Sequence, residues 1–310
     1  MQLFVYPHYD APARDLLRRQ LPPDITPVFR ADLPAGQQQA AFQQADFLLG
    51  NPPPEWFNPT PPRLRFWQID SAGFEQYADL RLACPVANMG DYFAWACAET
   101  IVAGVIAFYR HLPELARLQA ERCWVGAPVR KQLLLLRDQR TIILGAGTIG
   151  LAVRQQLSGF GCPVQLLART SPEAQLHSRK ELQAALPETD LVINCLPGSA
   201  EGFFSAELIK AMRPGSVYAN VGRGNTTDEP ALLAALQSGH LAGAVLDVTA
   251  TEPLPAEHPF WSMPNVLLTQ HTAGGQPRED EGKVELLLRN LHRLHSGQEP
   301  ENPVDVSRGY

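Results

Sequence analysis

The sequence predicts an α/β protein made of two doubly wound parallel sheets, and three observations predict it. A length of 310 residues favours two domains over one. Short apolar strands alternate with helical stretches twice, once on each side of a long apolar helix. The second series opens on a glycine-rich loop between a strand and a helix.

The first series begins with a strand over 3–6, stopped by Pro7, and a polar helix over 13–20, stopped before Pro22 and Pro23. Val28 and Phe29 read as a second strand and 47–50 as a third. Residues 64–69 read as a fourth, with the turn-like Asp70, Ser71, Ala72 and Gly73 behind it. Asp91 is read as the N-cap of a buried helix that reaches Tyr109 or Arg110. The stretch 94–108 is the most apolar in the chain, yet it is too short, and with Glu99 too polar, to span a bilayer.

The second series starts with the short apolar strand 141–144, a buried parallel type. A helix follows to about Leu157. Further strands are expected over 164–168, 191–196, 216–221, 242–247 and 265–269, and helices fit between several of them, such as 231–238 with Gly239 as stop signal. Six strands at these intervals make a doubly wound sheet. A last helix, 279–295, follows Pro277.

Composition excludes several function classes. Apolar residues at 45% can fill a core, so disorder is not the main state. A formal net charge of −6 without a Lys/Arg run makes a poor nucleic-acid partner. The five cysteines, Cys84, Cys97, Cys123, Cys162 and Cys195, contain no C-x-x-C pair, so zinc ribbons and thioredoxin-type sites are not expected. Free thiols fit a reducing cytoplasm, and the N-terminus lacks the pattern of a signal peptide. The eight histidines form no ligand-spaced cluster with cysteine, so no metal site is expected.

The loop is Gly145-Ala146-Gly147-Thr148-Ile149-Gly150, a G-x-G-x-x-G. Gly145 permits the tight turn, Gly147 lets the backbone approach a pyrophosphate, and Gly150 lets the helix pack close to the strand. The helix N-terminus then favours the anion. An NAD site normally ends the next strand with a carboxylate for the ribose 2′-OH. Here that strand ends in Arg169, Thr170 and Ser171, a cation and two hydroxyls suited to a 2′-phosphate. NADP(H) is therefore the preferred cofactor, with NAD(H) the alternative.

Arg223, Glu252 and His271 each follow a predicted strand of the second series, at the edge where open α/β sheets bind ligands. With the glycine loop they carry a resemblance. The segments Leu196-Pro197, Asn220-Val221-Gly222-Arg223-Gly224, Leu246-Asp247-Val248, Glu252-Pro253-Leu254 and His271-Thr272-Ala273-Gly274 resemble the D-isomer-specific 2-hydroxyacid dehydrogenase family, closest to its glyoxylate/hydroxypyruvate reductase branch. The match runs from Asp70 to about Gly275, and the first 65 residues match only in layout.

The resemblance implies two Rossmann-like domains, the substrate domain discontinuous over 1–89 and 276–310 and the dinucleotide-binding domain over 90–275. It implies hydride transfer from NADPH to small 2-oxo acids such as glyoxylate and hydroxypyruvate. His271 would be the general acid, Glu252 would orient it and stabilise its imidazolium, and Arg223 would hold the substrate carboxylate. Beyond the glycine loop and 169–171, it implies cofactor contacts from Leu196, Pro197, Val221, Gly222 and Arg223, and from Asp247, His271 and Gly274. Ser71, Ala72 and Gly73 stand where relatives place Gly-Ala-Gly donors for the carboxylate. Gly50 is expected to form a wall with little bulk, open to larger side chains. Gln270 stands where the family commonly has Pro. A homodimer with a contact from the long helix is implied, and neither a nucleic-acid nor a membrane partner. A dehydrogenase for larger 2-oxo acids and an NAD(P)-sensing binding protein remain as alternatives.

Overall fold

The structure, a computed structural model, describes residues 1–308; Gly309 and Tyr310, the last residues of the expected 276–310 segment, lie outside them. The chain forms two compact units, one from Met1–Tyr92 together with the segment from Gln276 onward, the other from Phe93–Gly275. Both carry all-parallel sheets with helices, so the expected α/β class is what the chain adopts.

The first unit contains β1 (Gln2–Val5), α1 (Ala11–Gln20), β2 (Thr26–Phe29), α2 (Ala35–Phe42), β3 (Phe47–Leu49), β4 (Phe66–Gln68) and β5 (Val86–Ala87). Its strand order is β2-β1-β3-β4-β5. The Asp10 carboxylate caps α1 by accepting from Ala13 N–H at 2.9 Å. One face of the sheet is covered by Ala13 and Leu17 of α1 and by Val284, Leu287 and Leu291 of the C-terminal helix Glu279–His295. The other face packs an aromatic layer of Phe42, Phe57, Trp67, Phe74 and Tyr77. The sequence reading missed α2, whose Gln-rich stretch buries only Phe42. It also missed β5, whose two residues are too short to show a period.

The second unit opens with α3 (Ala94–Tyr109), α4 (Leu112–Ala120) and the short α5 (Ala127–Arg130). The sheet follows: β6 (Thr141–Leu144), α6 (Thr148–Ser158), β7 (Val164–Leu167), α7 (Arg179–Ala185), β8 (Leu191–Asn194), α8 (Ala206–Ala211), β9 (Val217–Asn220), α9 (Glu229–Gln237), β10 (Gly243–Leu246) and β11 (Val266–Leu268). The order β11-β10-β9-β8-β6-β7 reverses direction at β6, the switch point of a doubly wound sheet. Every residue of β6, β8, β9 and β10 is buried, because helices cover both faces. α3 and α6 pack on one face around Ile101, Val105, Val153 and Val245; α8 and α9 pack on the other around Leu208, Tyr218, Leu232 and Leu246.

Asp91 does not cap α3. The helix begins at Ala94 with Phe93 in the cap position and no side-chain cap bond. The turn before it is made by Asn88, whose Oδ1 accepts from Gly90 N–H at 2.9 Å, with Gly90 left-handed at φ +57°. Among the described residues, no helix is long and apolar enough to cross a membrane.

Candidate active site

The glycine loop joins β6 to α6. Gly145 has φ +101°, a conformation glycine takes without strain. A Cβ on Gly150 would lie 2.1 Å from Gly145 O, so only glycine lets the first turn of α6 sit against the loop. Nothing lies within 4 Å of a Cβ built on Gly147, which leaves the backbone there open. The N–H groups of the first turn of α6 have no partners within the helix and are free to bind an anion. This fits a dinucleotide pyrophosphate by the chemistry of its donors.

The loops after β8 and β9 come to the same edge. A Cβ on Gly222 would lie 2.4 Å from Leu196 O, so the segments holding Leu196-Pro197 and Val221-Gly222 are in close backbone contact. Each loop is folded by a buried asparagine at the end of its strand. Asn194 Oδ1 accepts from Leu196 N–H at 3.0 Å, and Asn220 Oδ1 accepts from Gly222 N–H at 3.0 Å. Asn220 Nδ2 also donates to Arg223 O at 3.2 Å, and the Thr226 hydroxyl donates to the same carbonyl at 2.6 Å. Arg223 Nη1 donates to Gly222 O at 3.0 Å. Neither asparagine was singled out from sequence; the signal was a polar residue closing an otherwise apolar strand, twice.

Arg169 and Thr170 follow β7 and are exposed, and Ser171 is half-buried. Arg169 has no ion pair among the described residues. Ser171 Oγ accepts from Glu173 N–H at 3.3 Å.

Glu252 and His271, from the loops after β10 and β11, meet. His271 Nδ1 lies 2.5 Å from Glu252 Oε2. A carboxylate only accepts, so Nδ1 carries the proton and Nε2 is the ring atom that exchanges one. Glu252 is itself held, because Oε1 accepts from Thr249 N–H at 3.0 Å. The histidine loop hangs on Asp247 at the end of β10. Its Oδ1 accepts from the Thr269 hydroxyl at 2.6 Å, Thr272 N–H at 3.1 Å and Ala273 N–H at 3.2 Å. His271 N–H donates to the Asp247 carbonyl at 2.6 Å. Burial holds the Asp247 carboxyl above its ordinary value, even though the Thr269 hydroxyl and the His271 charge pull the other way. Sequence reading did not assign these contacts to Thr249, Thr269 or Thr272: Thr249 and Thr272 act through backbone N–H groups, which any residue carries, and only Thr269 acts through its hydroxyl.

Gln270 and His271 both have φ +55°. Proline fixes φ near about −65°, so this turn is closed to the residue common in the family. The pair borders a pocket of about 450 Å³ with Leu254, Trp261 and Leu268 on its apolar side. Gly274 packs against Phe93, whose Cδ1 would lie 3.1 Å from a Cβ there.

In the first unit, Asn51 Nδ2 donates to Ser71 Oγ at 2.9 Å and Ser71 Oγ donates to Gly73 O at 2.6 Å. Asn88 Nδ2 donates to Ala72 O at 2.7 Å, so the 71–73 loop is held on both sides. The open wall expected at Gly50 is corrected. Gly50 is buried with φ +108°, and a Cβ there would lie 2.5 Å from Pro7 Cδ. Its missing side chain makes room for Pro7 and opens no space for a ligand.

A parallel sheet with a glycine loop at its switch point and a carboxylate-held histidine at the same edge defines a nicotinamide-dependent oxidoreductase. Residues 102–273 match the sequence model of the D-isomer specific 2-hydroxyacid dehydrogenase, NAD binding domain. The chain belongs to the D-isomer specific 2-hydroxyacid dehydrogenase family and is an NAD(P)-dependent oxidoreductase. It is 34% identical over 219 residues to the glyoxylate/hydroxypyruvate reductase A of Yersinia enterocolitica, covering 68% of each chain. With the reductase of that name from Serratia proteamaculans the identity is 36% over 219 residues, again 68% of each chain. A D-isomer specific 2-hydroxyacid dehydrogenase from Xanthobacter autotrophicus Py2, solved with NADPH and MES, superposes with a TM-score of 0.82 at 27% identity, covering 99% of each chain.

Proposed function

We propose that the protein reduces small 2-oxo acids, glyoxylate and hydroxypyruvate among them, to 2-hydroxy acids with NADPH. The observation that carries this is the His271 Nδ1–Glu252 Oε2 contact at 2.5 Å. It leaves Nε2 as the proton-exchanging atom of a ring that cannot turn freely. His271 Nε2 gives its proton to the substrate carbonyl oxygen as that oxygen becomes a hydroxyl. Glu252 accepts from Nδ1–H and keeps the ring oriented before and after the transfer. In the reverse direction neutral Nε2 takes the hydroxyl proton. Arg223 holds the substrate carboxylate, and Ser71, Ala72 and Gly73 are its proposed backbone donors in the first unit. The first unit is accordingly the substrate domain and the second the cofactor domain.

When bound, NADPH supplies the hydride. The first turn of α6 would take its pyrophosphate, Leu196, Pro197, Val221 and Gly222 would flank it, and Asp247 and Gly274 would border the nicotinamide end. Arg169, without an ion pair among the described residues, supports NADPH over NADH together with Thr170 and Ser171, as does the NADPH-bound relative.

A homodimer in the cytoplasm is the proposed setting. The free cysteines suit the compartment. The Trp124 side chain is 97% exposed beside an apolar groove formed by Leu115, Leu118 and Val125, and Trp95 of α3 is exposed as well. Surfaces of this kind suit a second copy of the chain.

Loss of absorbance at the reduced-nicotinamide band tests the reaction, with NADPH and NADH each run against glyoxylate, hydroxypyruvate and pyruvate. The expected result is turnover favouring NADPH that His271→Ala abolishes. Turnover that survives His271→Ala would overturn the mechanism.

A further inference from the structure

Beyond β7 the chain returns so that residues near 176 run beside the strand and extend the outer edge of the sheet. Leu167 and Leu176 form a parallel bridge. Leu176 N–H donates to Leu166 O at 3.1 Å, and Ala168 N–H donates to Leu176 O at 3.0 Å. This register puts His177 beside the end of β7. Its backbone N–H donates to Glu181 Oε2 at 2.7 Å, and its Nδ1 lies 3.0 Å from Ala168 O. A carbonyl oxygen only accepts, so Nδ1 is the donor and Nε2 is the atom free to gain or lose a proton. The ring is thereby tied to the carbonyl immediately before Arg169.

We propose that His177 is a further specificity-determining residue, whose protonated Nε2 donates to the 2′-phosphate of NADPH beside Arg169 and makes the choice of NADPH over NADH sharper as pH falls. This rests on the proposed preference for NADPH. With Nδ1 donating to Ala168 O, a neutral ring would offer a phosphate only the Nε2 lone pair, whereas an imidazolium would offer it an N–H. NADH carries a 2′-hydroxyl in that place and gains no charge-assisted bond.

The charged surroundings allow this. Arg169 lies on the loop after β7, and Glu181, Arg179 and Lys180 lie on α7. Glu173 on the returning loop is paired with Arg154 at 2.7 Å, and Arg179 with Glu207 at 3.5 Å. Glu181 is turned to the His177 and Ser178 side of α7 by its bond to His177 N–H.

The test is isothermal titration of the full chain with NADPH and with NADH at about pH 6 and about pH 8, in wild type, His177→Gln and Arg169→Ala. Glutamine can still donate to Ala168 O but has no titrating proton. NADH binding by His177→Gln reports that the pocket is intact, and the pH dependence of the phosphate itself is common to all three proteins. The expected result is that the NADPH preference of wild type, relative to His177→Gln, is about tenfold larger at the lower pH. A preference whose pH dependence is the same in wild type and His177→Gln overturns the role of His177 and leaves the Arg169 reading standing. Equal affinity for both cofactors at both pH values, unchanged in Arg169→Ala, overturns the NADPH preference and the role of His177 with it.

Discussion

Asp247 organises the histidine loop through one oxygen, and removing that oxygen has a calculable effect. Oδ1 accepts from the Thr269 hydroxyl, Thr272 N–H and Ala273 N–H. Ala273 is 1% exposed, so in Asp247→Ala its N–H has no water to turn to and costs about 1–3 kcal/mol. The other two donors lie nearer the surface and lose about 0.5–1.5 kcal/mol each. The sum is about 2–6 kcal/mol, a fall of about 4–24 °C in Tm for a unit of this size. Asp247→Asn keeps an oxygen in place and should stay within about 1 kcal/mol of wild type. The carboxyl of Asp247 sits above its ordinary value because of burial. A raised carboxyl adds most to stability at low pH, and that contribution is lost as pH rises through the folded value. Asparagine has no such loss, so Asp247→Asn gains on wild type between acid and neutral pH. Thermal denaturation followed by circular dichroism over that range reads both effects. Equal Tm for Asp247→Ala and Asp247→Asn at neutral pH would refute the argument.

Other outcomes follow from single contacts. Arg169→Ala should raise KM for NADPH about tenfold to a hundredfold while leaving KM for NADH nearly unchanged, read from initial rates with each cofactor. Gln270→Pro must drive φ from +55° to about −65°, which displaces His271 and should lower kcat about a hundredfold, whereas Gln270→Gly should keep it. Gly50→Ala should lower Tm of the first unit, because the new Cβ would meet Pro7 Cδ at 2.5 Å on a left-handed backbone. Burial pushes the Asp46 carboxyl up, but the bonds from Gln2 N–H and Arg63 outweigh it and the net value lies below the ordinary one. Its stabilising effect is therefore present above the ordinary carboxylate range and lost as pH falls through the lowered value; Arg63→Ala should shrink the loss seen on acid titration.

The sheets were legible in the sequence because buried parallel strands are continuous apolar runs. 141–144 and 191–194 announce themselves. The helix Glu279–His295 was legible as the segment after Pro277 that follows the last strand. Elements with one buried residue, such as α2, or with two residues, such as β5, offer no period to read. The site divides in the same way. Glycines, Arg223, Glu252 and His271 are visible because their types and order carry chemistry. The Asx turns of Asn194 and Asn220 and the threonine bonds to Asp247 are three-dimensional matches between residues that look ordinary along the chain. Gly50 misled because an absent side chain was taken as open space, and only the position of Pro7 shows that the space is filled.

The first unit is assembled from both ends of the chain, and this has a consequence for synthesis. Leu3, Val5, Leu17 and Phe29 leave the ribosome early, but Val284, Leu287 and Leu291, which complete their cluster, emerge only after residues 93–275. At about 5–20 residues per second the wait is roughly ten to forty seconds. During it the second unit, continuous in sequence, can close its own core while one face of the first sheet stays open. The nascent first unit is therefore the stage at which an apolar face of this protein is open longest, and the helix Glu279–His295 is the piece that ends the exposure.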